Sequence, residues 1–181
     1  PMLPNDRRVQ VLERELARVR RAFESALDAV PAADRGRAPA GQWSAAQIVW
    51  HVAKVERSVA RLIEKQTAAI GPMATVPPGP SPEAVLGVLD HIPFLDRSRR
   101  LEAPEGIRPP AEIDLVGERG RLADGRVQLL AAAYDCGPRL SLVRHDHLYF
   151  GSFDGWQWLL MVARHEERHL LQLQETVAAL G

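Results

Sequence analysis

Residues 154–173 read DGWQWLLMVARHEERHLLQL, and the periodicity of that stretch decides the fold. Trp158, Leu159, Val162, Leu170 and Leu173, continued by Val177 and Leu180, share one arc of a helical wheel. That is the pattern of a helix packed on others along one side. Arg164, Glu167, Arg168 and Glu175 lie outside the arc. A helix is predicted from near Asp154 to about Leu180. His169 falls inside the arc and His165 at its edge, whereas solvated histidines belong with the charged residues. Four residues apart on a helix, the two rings are turned by only about 40°, so both reach one metal ion.

The run His165-Glu166-Glu167-Arg168-His169 also satisfies H-E-x-x-H, the zinc-protease helix in which the Glu is the general base. The protease assignment fails on the rest of the signature. Gln172 stands where the longer form wants Gly, and only 12 residues follow His169, so a third ligand has to come from upstream. Glu166 lies near the middle of the apolar arc, a costly place for a carboxylate without a partner. Two roles fit it: a base toward bound water, or an acceptor for the N–H of a ligand histidine, the second being favoured. A di-iron carboxylate bundle is disfavoured, because it needs Glu-x-x-His on two helices and only Glu166/His169 supplies one.

Three more helices are predicted upstream. The first opens at Asn5 or Asp6, carries Leu12, Leu16, Val19, Phe23, Leu27 and Val30 as one stripe, and is stopped by Pro31. The second begins at Trp43-Ser44-Ala45-Ala46-Gln47, where Ser44 and Gln47 form a capping box and Trp43 packs back on the first turn. Ile48, Val52, Val55, Val59, Leu62 and Ile63 make its apolar face, and Gly71-Pro72 ends it after about Ile70. His51 follows Ile48 by three and precedes Val55 by four, so it borders that face and looks into the bundle.

A third helix spans about Ile113 to Tyr134 on Leu115, Leu122, Leu129 and Leu130, weakened by Gly117, Gly120 and Gly125. Between the second and third helices, nine prolines in residues 71–112 break any long helix. Within them Ser81 to Leu95 carries a short amphipathic piece (Val85, Leu86, Leu89), read as a helix laid across the bundle. Leu140 to Val143 reads as extended. The expected fold is all-α: one four-helix-bundle domain over residues 1–181, with a long crossover connection and a short extended segment before the last helix. Such bundles build metal sites from side chains on facing helices.

His51, His165 and His169 then supply the three protein ligands of a catalytic zinc site, with room left for water or substrate. Imidazole also suits nickel, copper and iron. His145 and His147 form an H-x-H on one side of an extended segment: a second site, a fourth ligand, or loop histidines. His91 has no identifiable partner. Cys136 is the only cysteine, so no intrachain disulfide forms, and it reads as structural.

Lys+Arg and Asp+Glu are equal at 23 each, which excludes an overall basic field for nucleic acid or an anionic membrane. The local cluster Arg97, Arg99 and Arg100 reads as solvated surface. No apolar run approaches the length of a membrane span, and Pro1 to Arg8 is charged rather than signal-like, so a soluble, cytoplasmic protein is expected.

Two stretches resemble the DinB-like superfamily, which includes YfiT-like proteins and bacterial thiol transferases. Trp43-Ser44 through His51 to Glu56 is similar to its "W-S … H-x-x-x-x-E" second helix. His147-Leu148-Tyr149-Phe150-Gly151 through Trp158 to Gln172 is similar to its "H-P-x-F-G … W-L … H-x-x-R-H-x-x-Q" ending, with Leu148 in place of Pro. The resemblance implies a bundle with a long crossover, metal ligation by His51, His165 and His169, and frequent pairing as homodimers. It also implies, for some members, a metal that binds a small thiol such as bacillithiol or mycothiol and passes it to electrophiles.

The function expected from all this is a zinc- or nickel-dependent transferase or hydrolase of small molecules, using a low-molecular-weight thiol as co-substrate in the first case. His51, His165 and His169 hold the ion, and Glu166 or His147 handles protons. The rival is a non-catalytic metal-binding module for stress response or ligand sequestration.

Overall fold

A computed structural model describes residues 6–181, with long helices α1 (Arg7–Asp28), α2 (Ala45–Ile70), α3 (Leu115–Cys136) and α4 (Gly155–Ala178). Each begins on a side chain that satisfies a free backbone N–H. Asp6 accepts from the Arg8 N–H at 2.9 Å, while Asn5, the other candidate cap, and the rest of residues 1–5 lie outside the described residues. Ser44 and Gln47 form the expected capping box on α2, and Asp154 and Gln157 form a second on α4. Asp114 caps α3 by accepting from the Gly117 N–H.

The glycines of α3 do not interrupt it. Gly125 is buried where a Cβ would stand 3.0 Å from Arg57 Cγ, so the missing side chain lets α3 lie close on α2.

Two local expectations are corrected. Ser81 to Leu95 holds only a 3-10 turn, Val85–Gly87, although Val85 and Leu89 are buried as the pattern implied. Pro93 bounds the segment and Gly87, the last residue of that turn, disfavours its continuation as a helix. Leu140 to Val143 is not extended either: Gly137–Leu142 is a 3-10 segment entered through Gly137 at φ 53°. The extended segment follows it, as β1 (His145–His147) paired antiparallel with β2 (Gly151–Phe153), His147 opposite Gly151.

The core has two apolar compartments. One gathers Val9 to Val19 of α1, Val59 to Ile63 of α2, Leu129 to Cys136 of α3 and Trp156 to Ala163 of α4. The other gathers Phe23 and Leu27, Ala45 to Ala53, Leu122 and Leu173. Reading each helix from one compartment to the other, α1 and α4 run one way and α2 and α3 the opposite way. Two successive helices in the same direction require the chain to return along the whole bundle, which is what residues 71–114 do.

Between the compartments lies a layer of four charged residues, one from the middle of each helix. Arg20 donates to Glu56 Oε2 and to Glu166 Oε1, both at 2.5 Å. Arg126 donates to Glu56 Oε1 at 2.5 Å and to Glu166 Oε2 at 2.9 Å. The guanidinium groups also reach the Leu122 and Leu16 carbonyls. Both carboxylates are fully withdrawn from solvent, and each finds two cations, the condition under which a buried charge is tolerated.

Candidate metal centre

The helix directions put the first half of α2 beside the second half of α4, and three histidines meet there. His51 Nε2 lies 3.0 Å from His165 Nε2, which lies 3.1 Å from His169 Nε2. Two nitrogens on one ion, with bonds of about 2.0–2.1 Å, stand about 2.9–3.4 Å apart for angles between a right angle and the tetrahedral value. The spacing therefore fits a shared cation.

Proton placement fits it too. His51 Nδ1 is 2.7 Å from the Ile107 carbonyl and His169 Nδ1 is 2.7 Å from Gln172 Oε1, so each Nδ1 carries the proton and donates. Both Nε2 atoms then turn a lone pair toward His165 Nε2, which has at most one proton to offer them. A cation would satisfy all three nitrogens at once. Burial pushes the His51 imidazole down to about 4. Burial, then the charges of the neighbouring histidines, holds His165 well below its ordinary value. His169 is lowered in the same way. All three are neutral near pH 7, the form that ligates metal.

Among the described residues no fourth His, Cys, Asp or Glu joins the group. Trp43 walls one side, its ring 4.9 Å from that of His51 and stacked 6.2 Å from that of His169. The crossover covers another side through the 3-10 turn Glu105–Ile107.

Of the two residues expected to handle protons, Glu166 sits next to His165 in sequence but is turned about 100° from it around the helix, toward Arg20 and Arg126. Both its oxygens accept from Arg20 and Arg126, and neither expected role, base or acceptor for a ligand histidine, has a counterpart among these contacts. Desolvation pushes its carboxyl upward against the pull of the two guanidinium groups.

His147 is not in the three-histidine group, but its charge is among the influences that lower His165. It is packed among Phe94, Phe150, Phe153 and Trp158, with ring centroids 4.9–6.0 Å away. Burial lowers it to about 4. Its Nδ1 accepts from the Tyr149 backbone N–H at 3.2 Å, which leaves the proton on Nε2.

His145 is exposed, with its ring 5.8 Å from that of Trp158, and is not in the three-histidine group. His91 is exposed and Cys136 buried. Arg168, placed outside the buried arc by the helical wheel, is instead buried, because its guanidinium donates to the Phe94, Asp96 and Arg99 carbonyls; the helical wheel gave no role to Gln172 or Ile107. Gln172 was within reach of it, being one turn beyond His169, but a main-chain carbonyl from a crossover has no sequence signature.

A four-helix bundle with a converged three-histidine cluster between α2 and α4 is the class that fold and site define. The chain belongs to the DinB superfamily, whose family model matches residues 15–173 and so spans all three histidines. No curated protein and no solved structure matches it.

Proposed function

We propose that this protein binds one divalent transition metal, zinc or nickel, and uses it on a small molecule, transferring a low-molecular-weight thiol to an electrophile or hydrolysing the substrate. The observation that supports this best is three neutral Nε2 atoms converging with no fourth protein ligand among the described residues, the donor set of an open catalytic site rather than a closed structural one. A divalent ion there would act as a Lewis acid and lower the pKa of a coordinated thiol or water toward neutrality.

The chain's own contributions follow from the geometry. Ile107 and Gln172 hold His51 and His169 with Nε2 free. Trp43 and the crossover shield the cluster from water. His147 presents an Nε2–H as a donor toward a polar atom of the substrate, its Nδ1 being engaged by Tyr149. Glu166 takes no proton in this scheme, because its oxygens are held by two guanidinium groups.

The test is elemental analysis followed by assay. Purified protein carries about one zinc or nickel per chain, and His51→Ala loses it. Incubation of the metal-loaded protein with a small thiol and a model electrophile yields the adduct by mass spectrometry. Wild-type protein that takes up neither metal on reconstitution overturns the reading. Metal uptake without adduct or hydrolysis replaces the enzyme with a sequestering module.

A further inference from the structure

The crossover contains Pro93, Pro104, Pro109 and Pro110, which keep it out of helix and sheet. Its carbonyls must find donors elsewhere, and side chains supply them. Arg168 donates to the carbonyls of Phe94 at 2.8 Å, Asp96 at 2.7 Å and Arg99 at 2.6 Å. Tyr149 donates its hydroxyl to the Glu102 carbonyl. His51 donates to Ile107 at 2.7 Å and Gln47 to Pro110 at 2.9 Å.

Arg168 is unusual among these donors. It stands between the two ligands of α4, is only 6% exposed, and has no carboxylate within ion-pair distance among the described residues. A withdrawn guanidinium facing only main-chain carbonyls is costly unless those bonds are needed.

We infer that Arg168 is a positioning residue for the metal centre: it clasps the crossover backbone at residues 94–99 and so keeps the Ile107 carbonyl against His51. This rests on the metal-binding reading above. The clasp begins beside His165 and His169 on α4 and ends on His51 of α2, so the crossover ties the two halves of the ligand set together. Coordination through Nε2 polarises the ring and strengthens the Nδ1–H bond to Ile107. The coupling is reciprocal: metal tightens the crossover, and a tight crossover raises metal affinity.

The experiment combines zinc titration calorimetry with amide hydrogen exchange over residues 94–110, with and without one equivalent of Zn²⁺, in wild type, Arg168→Gln, Arg168→Lys and the control Arg119→Gln. Arg119 holds Glu24 and Asp28 between α3 and α1, and its ion pairs involve neither residues 94–110 nor the histidines. In wild type, zinc slows exchange of the crossover at least about tenfold. Arg168→Gln binds zinc about 10–100-fold more weakly. It also loses the zinc-dependent protection and the downfield proton NMR signal of His51 Nδ1–H. Arg168→Lys falls between, and Arg119→Gln matches wild type.

Stoichiometric zinc binding in wild type with unchanged exchange in residues 94–110 overturns the inference alone. So does a folded Arg168→Gln with wild-type affinity and an intact His51 signal. If that variant fails to fold, the wild-type exchange pair and Arg168→Lys decide. Absence of any metal binding overturns the metal-binding reading and this inference with it.

Discussion

Arg20 on α1 places its Nε 2.5 Å from Oε1 of Glu166 on α4, at the residue directly after His165 of the three-histidine cluster. That contact makes the glutamate of H-E-x-x-H part of the charged layer, about 100° around α4 from His165. Glu166→Gln leaves a guanidinium pair short of one anion, and breaking a buried ion pair from one side costs about 3–5 kcal/mol. The expected outcome is a urea-unfolding free energy lower by that order, with metal stoichiometry kept in the folded fraction. A variant of wild-type stability that has lost turnover would instead make Glu166 a base.

Gln172→Ala removes the acceptor that fixes the His169 proton on Nδ1. Loss of such a partner lowers metal affinity about 10–100-fold, which competition with a chromophoric chelator measures. The fold should change little, because Gln172 is only partly buried. Unaltered affinity would show that the ring is oriented by packing against Trp43 alone.

The metal-free protein should lose stability as pH falls. His51 and His147 both sit at about 4 when folded, below the ordinary histidine value near 6.5. The unfolded chain therefore takes up protons first. Their contribution is fully present above about pH 6.5, is lost progressively as pH falls toward 4, and changes no further below that. Urea midpoints in chelator at pH 7.5, 6 and 5 check it, and His147→Gln should flatten the slope. Equal midpoints across that range would contradict the burial of these rings.

Gly155→Ala is expected to destabilise by about 1–3 kcal/mol. A Cβ there would stand 2.8 Å from the Leu140 carbonyl oxygen and 3.0 Å from its Cα, and main chain does not swing aside as a side chain does. Thermal denaturation of the variant reads the effect. Gly36→Ala, where nothing lies within 4 Å, is the matched comparison.

Metal itself should stabilise. Zinc at about 100 times its dissociation constant adds about 2.7 kcal/mol, seen as a rise in Tm for wild type and not for His165→Ala or His169→Ala. Equal shifts in all three proteins would place the ion elsewhere.

Much of this protein is legible in its sequence because helix periodicity and capping are local. The stripe from Leu12 to Leu27, the Ser44–Gln47 box and the arc through Trp158 and Leu173 each point to one helix with one buried side, and all of them form, α1 ending at Asp28 just short of Val30. The histidine pair follows from the same geometry, since residues four apart on a helix must lie side by side. Its convergence with His51 depends on which helices are neighbours and in which direction they run. The charged layer was within reach of the pattern, because Arg20, Glu56, Arg126 and Glu166 each interrupt an apolar stripe near mid-helix; that they pair with one another is again a matter of packing. Only the tertiary structure decided what Glu166 and Arg168 do. Periodicity says how far a side chain points toward the core, but the nature of the partner waiting there is settled by chain segments remote in sequence: the guanidinium groups of α1 and α3 for Glu166, and the carbonyls of a proline-broken crossover for Arg168.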